Sequence, residues 1–147
     1  MIEPITISVE LACSADHAFD TFTGKAKLWW PREHTVSADP NADIVLEPRL
    51  GGRLFERTST GETHEWGEIT TWEPKHRFCY TWHIHWDASD ATDVEITFTD
   101  VGDAGSRVDI VHSGWERLGA DGERWVHRNR AGWDGILPEF AAAAQSA

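Results

Sequence analysis

Between Trp66 and His112 most of the large apolar side chains fall on even positions, and this regularity constrains the fold more than any motif in the chain. The stretch is broken at Glu73-Pro74-Lys75, Asp87-Ala88-Ser89-Asp90 and Asp100-Val101-Gly102-Asp103, all rich in turn-forming residues. If each break is an antiparallel hairpin, residues of equal parity share one face of the sheet. The even face then carries Trp66, Glu68, Thr70, Trp72, Phe78, Tyr80, Trp82, Ile84, Trp86, Val94, Ile96, Phe98, Val108, Ile110 and His112. The odd face carries Glu65, Thr71, Thr81, His83, His85, Asp93, Glu95, Thr97, Arg107, Asp109 and Ser113, and is solvated. An apolar face running across four strands needs a cover. The only segment long enough runs from about Asp121 to Gln145, where Trp125, Gly132, Trp133, Ile136, Leu137, Phe140, Ala141 and Ala144 form one helical stripe. Pro138 inside it predicts a bend.

The remaining elements follow from local signals. Ile5 to Leu11 alternates apolar and polar residues, the pattern of a half-buried strand. Ser14 is a candidate N-cap for a helix bearing Ala15, Ala18, Phe19 and Phe22, with Gly24 as its stop. A second short helix through Trp29-Trp30 ends before Pro31, and residues 31–42 read as a loop. Strands are expected over 43–48, 51–58, 63–73, 77–86, 92–99 and 106–114. The result is an α+β architecture in which a curved antiparallel sheet of about seven strands wraps a long C-terminal helix, with two short helices after the first strand.

A chain of 147 residues, 40% apolar and 26% charged, fits one domain spanning 1–147. Its 25 acidic residues against 13 Lys and Arg give a net charge of -12, which opposes binding to nucleic acid or an anionic membrane. Cys13 and Cys79 sit in no ligand spacing and make no disulfide scaffold. No signal peptide or apolar run of membrane-spanning length is found, so a reduced, cytoplasmic protein is expected.

Three polar residues on the even face need partners, because burying Glu68, Thr70 or His112 unpaired costs on the order of 1–3 kcal/mol each. An internal network would supply them, with Arg53 or Arg57 for Glu68 and a neighbouring group for His112. The alternative makes them the orienting groups of an apolar pocket. Periodicity leaves open whether the aromatic side chains fill the space between helix and sheet or hold it hollow.

The segments Ala15-Asp16-His17-Ala18-Phe19, Trp29-Trp30, Glu47-Pro48-Arg49-Leu50-Gly51-Gly52-Arg53, Gly67-Glu68-Ile69, Arg77-Phe78-Cys79-Tyr80-Thr81-Trp82, His112-Ser113-Gly114-Trp115 and Gly132-Trp133 occur in order along nearly the whole chain. In this series the chain resembles the helix-grip fold of the START and SRPBCC superfamily, typified by the birch pollen allergen Bet v 1. It resembles most the branch related to the C-terminal domain of the activator of the heat-shock protein 90 ATPase. The resemblance implies a container for an apolar or amphipathic small molecule, and brings in a chaperone as a further class of partner. Locally, Gly51-Gly52 suits a tight or positive-φ connection, and Gly132 suits close approach of the helix to the sheet.

The expected ligand-binding residues are Trp29, Trp30, Trp66, Glu68, Thr70, Tyr80, Trp82, Phe98, Ile110, His112, Trp125 and Trp133. If the chain is a cyclase- or dehydratase-like enzyme, His112 and Glu68 are the acid–base candidates, with His127 and Asn129 at the cavity mouth. No nucleophile elbow, phosphate loop or zinc-helix motif is present, and no cofactor is expected. His83 and His85 share the outer face near Glu95 and Asp93, which favours exposed His–carboxylate pairs over a metal site.

Overall fold

The computed structural model describes residues 2–83 and 90–146. Strand β1 (Ile5–Leu11) leads into helix α1 (Ala15–Gly24) and the one-turn helix α2 (Ala26–Trp29). Strands β2 (Asp43–Leu46), β3 (Arg53–Arg57), β4 (Thr63–Glu73), β5 (Arg77–Trp82), β6 (Thr92–Val101) and β7 (Gly105–Ser113) follow, and helix α3 (Gly122–Gln145) closes the order. The strands form one antiparallel sheet in the order β1-β7-β6-β5-β4-β3-β2. Trp86 and Ile84, expected on the inner face, and His85 and the turn beginning at Asp87 lie outside the described residues.

Local chemistry fixes the helix ends. The Ser14 hydroxyl accepts from the His17 amide at 3.1 Å, capping α1 as its position predicts. Helix α3 runs through Pro138 and lays Trp133, Ile136, Leu137, Phe140 and Ala144 into the sheet's concave face, with Trp125 half-buried. Phe140 meets Phe22 at 5.1 Å and Trp29 at 5.3 Å, and Phe19 meets Phe98 at 5.2 Å, so aromatic edges join the helices to the sheet. The connection at Gly51, with φ of +80°, takes the left-handed conformation that glycine tolerates.

The parity rule holds from β5 to β7. Phe78 lies opposite Ile96, Tyr80 opposite Val94, and Val94 opposite His112, all buried on one face. It fails on β4. There the ladder to β3 shifts between Leu54 and Phe55, and the ladder to β5 shifts between Ile69 and Thr71. Two irregularities in one strand move the buried positions to Trp66, Ile69 and the half-buried Trp72. Glu68 and Thr70 therefore point outward and are exposed, correcting their expected inward placement. Gly67 is what lets the strand bend: an ideal Cβ there would lie 1.7 Å from the Thr81 carbonyl oxygen.

Residues 31–42, expected to be loop, are tied down. A 3-10 turn spans Arg32–His34, and beyond it the amides of Val36 and Ser37 and the Ser37 hydroxyl all donate to the Glu56 carboxylate at 2.6, 3.1 and 2.6 Å. The Trp66 indole donates to the same carboxylate at 2.9 Å. Glu56 is wholly buried. Burial pushes its carboxyl pKa up, but the donors outweigh burial and hold it below the usual carboxylate range. Its place on a strand between Phe55 and Arg57 gave no sign of this role.

Candidate functional site

Among the described residues, the centre of the space between sheet and helix is filled. The void beside Phe22, Trp66 and Tyr80 holds only about 10 Å³, room for at most about one water. Phe98 and Ile110 are buried in the packed core, away from any opening. The hollow interior left open by the sequence is thus replaced by concavities at the rim.

His112 sits at the base of this packing with no exposed surface. The Trp133 indole donates to its Nδ1 at 3.2 Å, so Nδ1 is the unprotonated nitrogen. Nε2 then carries the proton toward Thr92 Oγ1 at 2.8 Å, and the Thr92 hydroxyl donates onward to the Trp82 carbonyl at 3.2 Å. The Trp115 ring lies over the imidazole at 4.3 Å, and its N–H donates to the His112 carbonyl at 2.8 Å. Burial pulls the His112 pKa down to about 3, keeping the ring neutral. Both ring nitrogens are occupied by protein partners, which makes His112 a junction of strand, helix and turn.

A cleft of about 330 Å³ opens between the Arg32–His34 turn, the end of β5 and the first half of α3. Trp30, Trp82, Trp125 and Trp133 line it together with Glu33, His34, Arg128, Asn129, Ala131, Gly132 and Ile136. Three of these indoles turn their N–H groups into the protein. Trp30 donates to the His34 carbonyl at 3.1 Å, Trp82 to Asn129 Oδ1 at 3.1 Å, and Trp133 to His112. Asn129 also donates from Nδ2 to the Trp125 carbonyl at 2.9 Å, bridging β5 to α3. The cleft therefore combines an aromatic wall with the polar side chains of Glu33, His34, Arg128 and Asn129, at the lower end of the volume range of small-molecule sites.

The structure thus brings together Trp30, Trp82, Trp125 and Trp133, with Asn129 beside them in the lining. Trp29 lines a separate groove of about 570 Å³ with Thr21, Lys25 and Glu139, between the short helices and the end of α3. Trp66 and Tyr80 face the small internal void, and His127 is exposed outside the cleft lining. His112 and Glu68 do not converge, since one is in the core and the other on the outer face. His83 approaches Glu65 at 3.4 Å, whereas Glu95, its expected neighbour, binds Arg77 at 2.6 Å. Gly132 also departs from expectation: a Cβ there meets nothing within 4 Å, while a Cβ on Gly135 would come 2.7 Å from the His34 ring. Close approach belongs to Gly135. Glu33 and His34 were missed because nothing in a loop's sequence says which wall it will face.

A sheet curled around one long helix, with an aromatic cleft at the rim, defines a helix-grip protein of the Bet v 1-like class. The chain belongs to the family of activator of Hsp90 ATPase homolog 1-like proteins, whose profile matches residues 12–145. Among solved structures it is similar to the anthrahydroquino-γ-pyrone synthase Txn09, with 33% identity, 97% of each chain covered and a TM-score of 0.69. It is also similar to the self-sacrificing resistance protein CalC from Micromonospora echinospora, at 26% identity, covering 97% of this chain and 92% of that one, with a TM-score of 0.68. The Aha1 dimer from Colwellia psychrerythraea shares the fold at 17% identity and a TM-score of 0.70, with 99% and 98% covered. No curated protein sequence matches the chain. Among the described residues no helix is long and apolar enough to cross a membrane.

Proposed function

We propose that this chain binds a planar, apolar or amphipathic small molecule in the cleft between α3 and the Arg32–His34 turn. The observation that carries this reading is the wall of four indoles, three with their N–H groups already engaged inside the protein. Such a wall offers π surface for stacking without an unmet donor that a flat hydrocarbon would leave stranded. The similarity to Txn09 supports a fused-ring ligand. Tryptophan fluorescence and thermal melting across a panel of uncharged planar aromatics and linear lipids test it. Saturable quenching with a raised melting temperature is expected for the planar set, and at a hundredfold excess over Kd the stabilisation is about 2.7 kcal/mol. No stabilisation by any planar member would sink the proposal.

The Txn09 similarity also favours a second reading, a ring-forming enzyme. His112 and Glu68 do not suit it, for the reasons of placement given above. His34 and Glu33, both lining the cleft, are its acid–base groups. His34→Ala should then abolish turnover of a cyclisable polyketide-like substrate while its binding persists; unchanged turnover would remove His34 from the chemistry.

A further inference from the structure

The geometry points to a planar aromatic anion as the ligand class, with its ring edge over Gly132 and its acidic group at Arg128. This rests on the binding reading above and adds a charge and an orientation to it.

Gly132 supplies the first support. Glycine inside a helix is unfavourable relative to alanine unless a close approach or positive φ requires it. Gly132 has no positive φ, and a Cβ would meet no atom within 4 Å. The helix therefore carries a weak helix former where a larger residue would fit, and the space left lies in the cleft wall. Gly135, one turn face away, is the contrasting case, because the His34 ring occupies its Cβ position. Packing accounts for Gly135; keeping the slot open accounts for Gly132.

The second support is charge. The chain as a whole is acidic, at -12, yet the segment from Arg124 to Arg130 holds three arginines and His127 with no carboxylate. Arg124 and Arg128 lie over the Trp125 ring at 5.6 and 4.8 Å, which holds both guanidinium groups at the indole that lines the cleft. Among the described residues Arg128 has no ion-pair partner; Arg124 reaches Asp121 at 3.9 Å. Arg128 and Gly132 are four residues apart and so share a helix face. A carboxylate or phenolate at Arg128 places an attached ring system along that face. Glu33, also in the lining, repels the acidic group from the opposite lip and fixes the orientation.

The test compares anthraquinone-2-carboxylate with its neutral carboxamide by fluorescence titration. For the natural sequence the carboxylate should bind roughly three- to tenfold more tightly at low salt, and the advantage should shrink at high salt. Arg128→Met, which keeps the aliphatic stem, should erase the difference, the carboxylate losing more affinity than the carboxamide. Gly132→Leu should lose both probes and melt at a higher temperature. Equal binding of the two probes, or an advantage that survives Arg128→Met, overturns the anion assignment while leaving the planar-ligand reading intact. Full binding by Gly132→Leu overturns the placement. Failure of the natural protein to bind either probe overturns the parent reading as well.

Discussion

His112 shows how neighbours decide what a residue does. Its imidazole is closed on both nitrogens, by Trp133 and by Thr92, and packed against the tilted Trp115 ring. With a folded pKa near 3 against an unfolded value of about 6.5, only the unfolded chain takes up this proton as the pH drops. Stability should therefore fall by up to about 1.4 kcal/mol per pH unit below pH 6.5, and urea unfolding of His112→Phe should lack that component. If both proteins show the same pH slope, the ring is not held neutral. Glu56 acts in a lower window. Its depressed carboxyl contributes stability that is present above the ordinary carboxylate value of about 4.3 and is lost as the pH falls through the folded value. Glu56→Ala strands the Trp66 indole and the donors of Val36 and Ser37, and should cost about 3 kcal/mol or more by chemical denaturation. His112 was legible as a buried polar residue needing partners. Glu56 was not, because its partners come from a loop that carries no periodicity.

Among the elements, β4 decides the most. A strand with two register shifts bends and twists more than a regular one, and here it carries Trp66 inward while turning Glu68 out. The signal was present in Gly67, since an isolated glycine in a strand pattern marks a bulge or a close backbone approach. Strict alternation through it put Glu68 and Thr70 on the wrong face. Gly67→Ala should be among the costliest single methyl additions in the chain, about 3 kcal/mol at the upper end of overpacking, because the obstacle is the Thr81 backbone. A melting temperature within a degree or two of the natural protein would show that the strand can relax around it. Strands β5 to β7 contain no such interruption, and there parity alone gave the face, while the register, which sets Cys79 opposite Glu95 and Thr81 opposite Asp93, differs from the expected pairing of those carboxylates with His83 and His85.

For the whole molecule, the division between an aromatic interior and a charged exterior sets its response to solution conditions. The outer face pairs Arg77 with Glu95 and Glu73, Arg107 with Asp109, and Arg117 with Asp93, yet the chain retains a net charge of -12. The excess charge repels itself, while the exposed pairs contribute at most about 1 kcal/mol each. The melting temperature should therefore rise as sodium chloride is added up to physiological strength, and a falling melting temperature would mean that the surface pairs dominate. The same arithmetic makes the positive stretch on α3 stand out against its background.

The sequence by itself determined the order of elements, the cap at Ser14, the apolar stripe of α3 and the face presented by β5 to β7, because these depend on local periodicity and short-range hydrogen bonds. It also named Trp30, Trp82, Trp125 and Trp133 among twelve expected ligand-binding residues, without separating them from Trp29, Trp66, Phe98 and Ile110, which the fold places elsewhere. Only the tertiary structure decided that the interior is packed and the opening lies at the rim. That outcome depends on how closely α3 settles on the sheet, on a bulge that re-aims β4, and on a loop anchored to Glu56, and each is set by contacts between residues far apart in the chain.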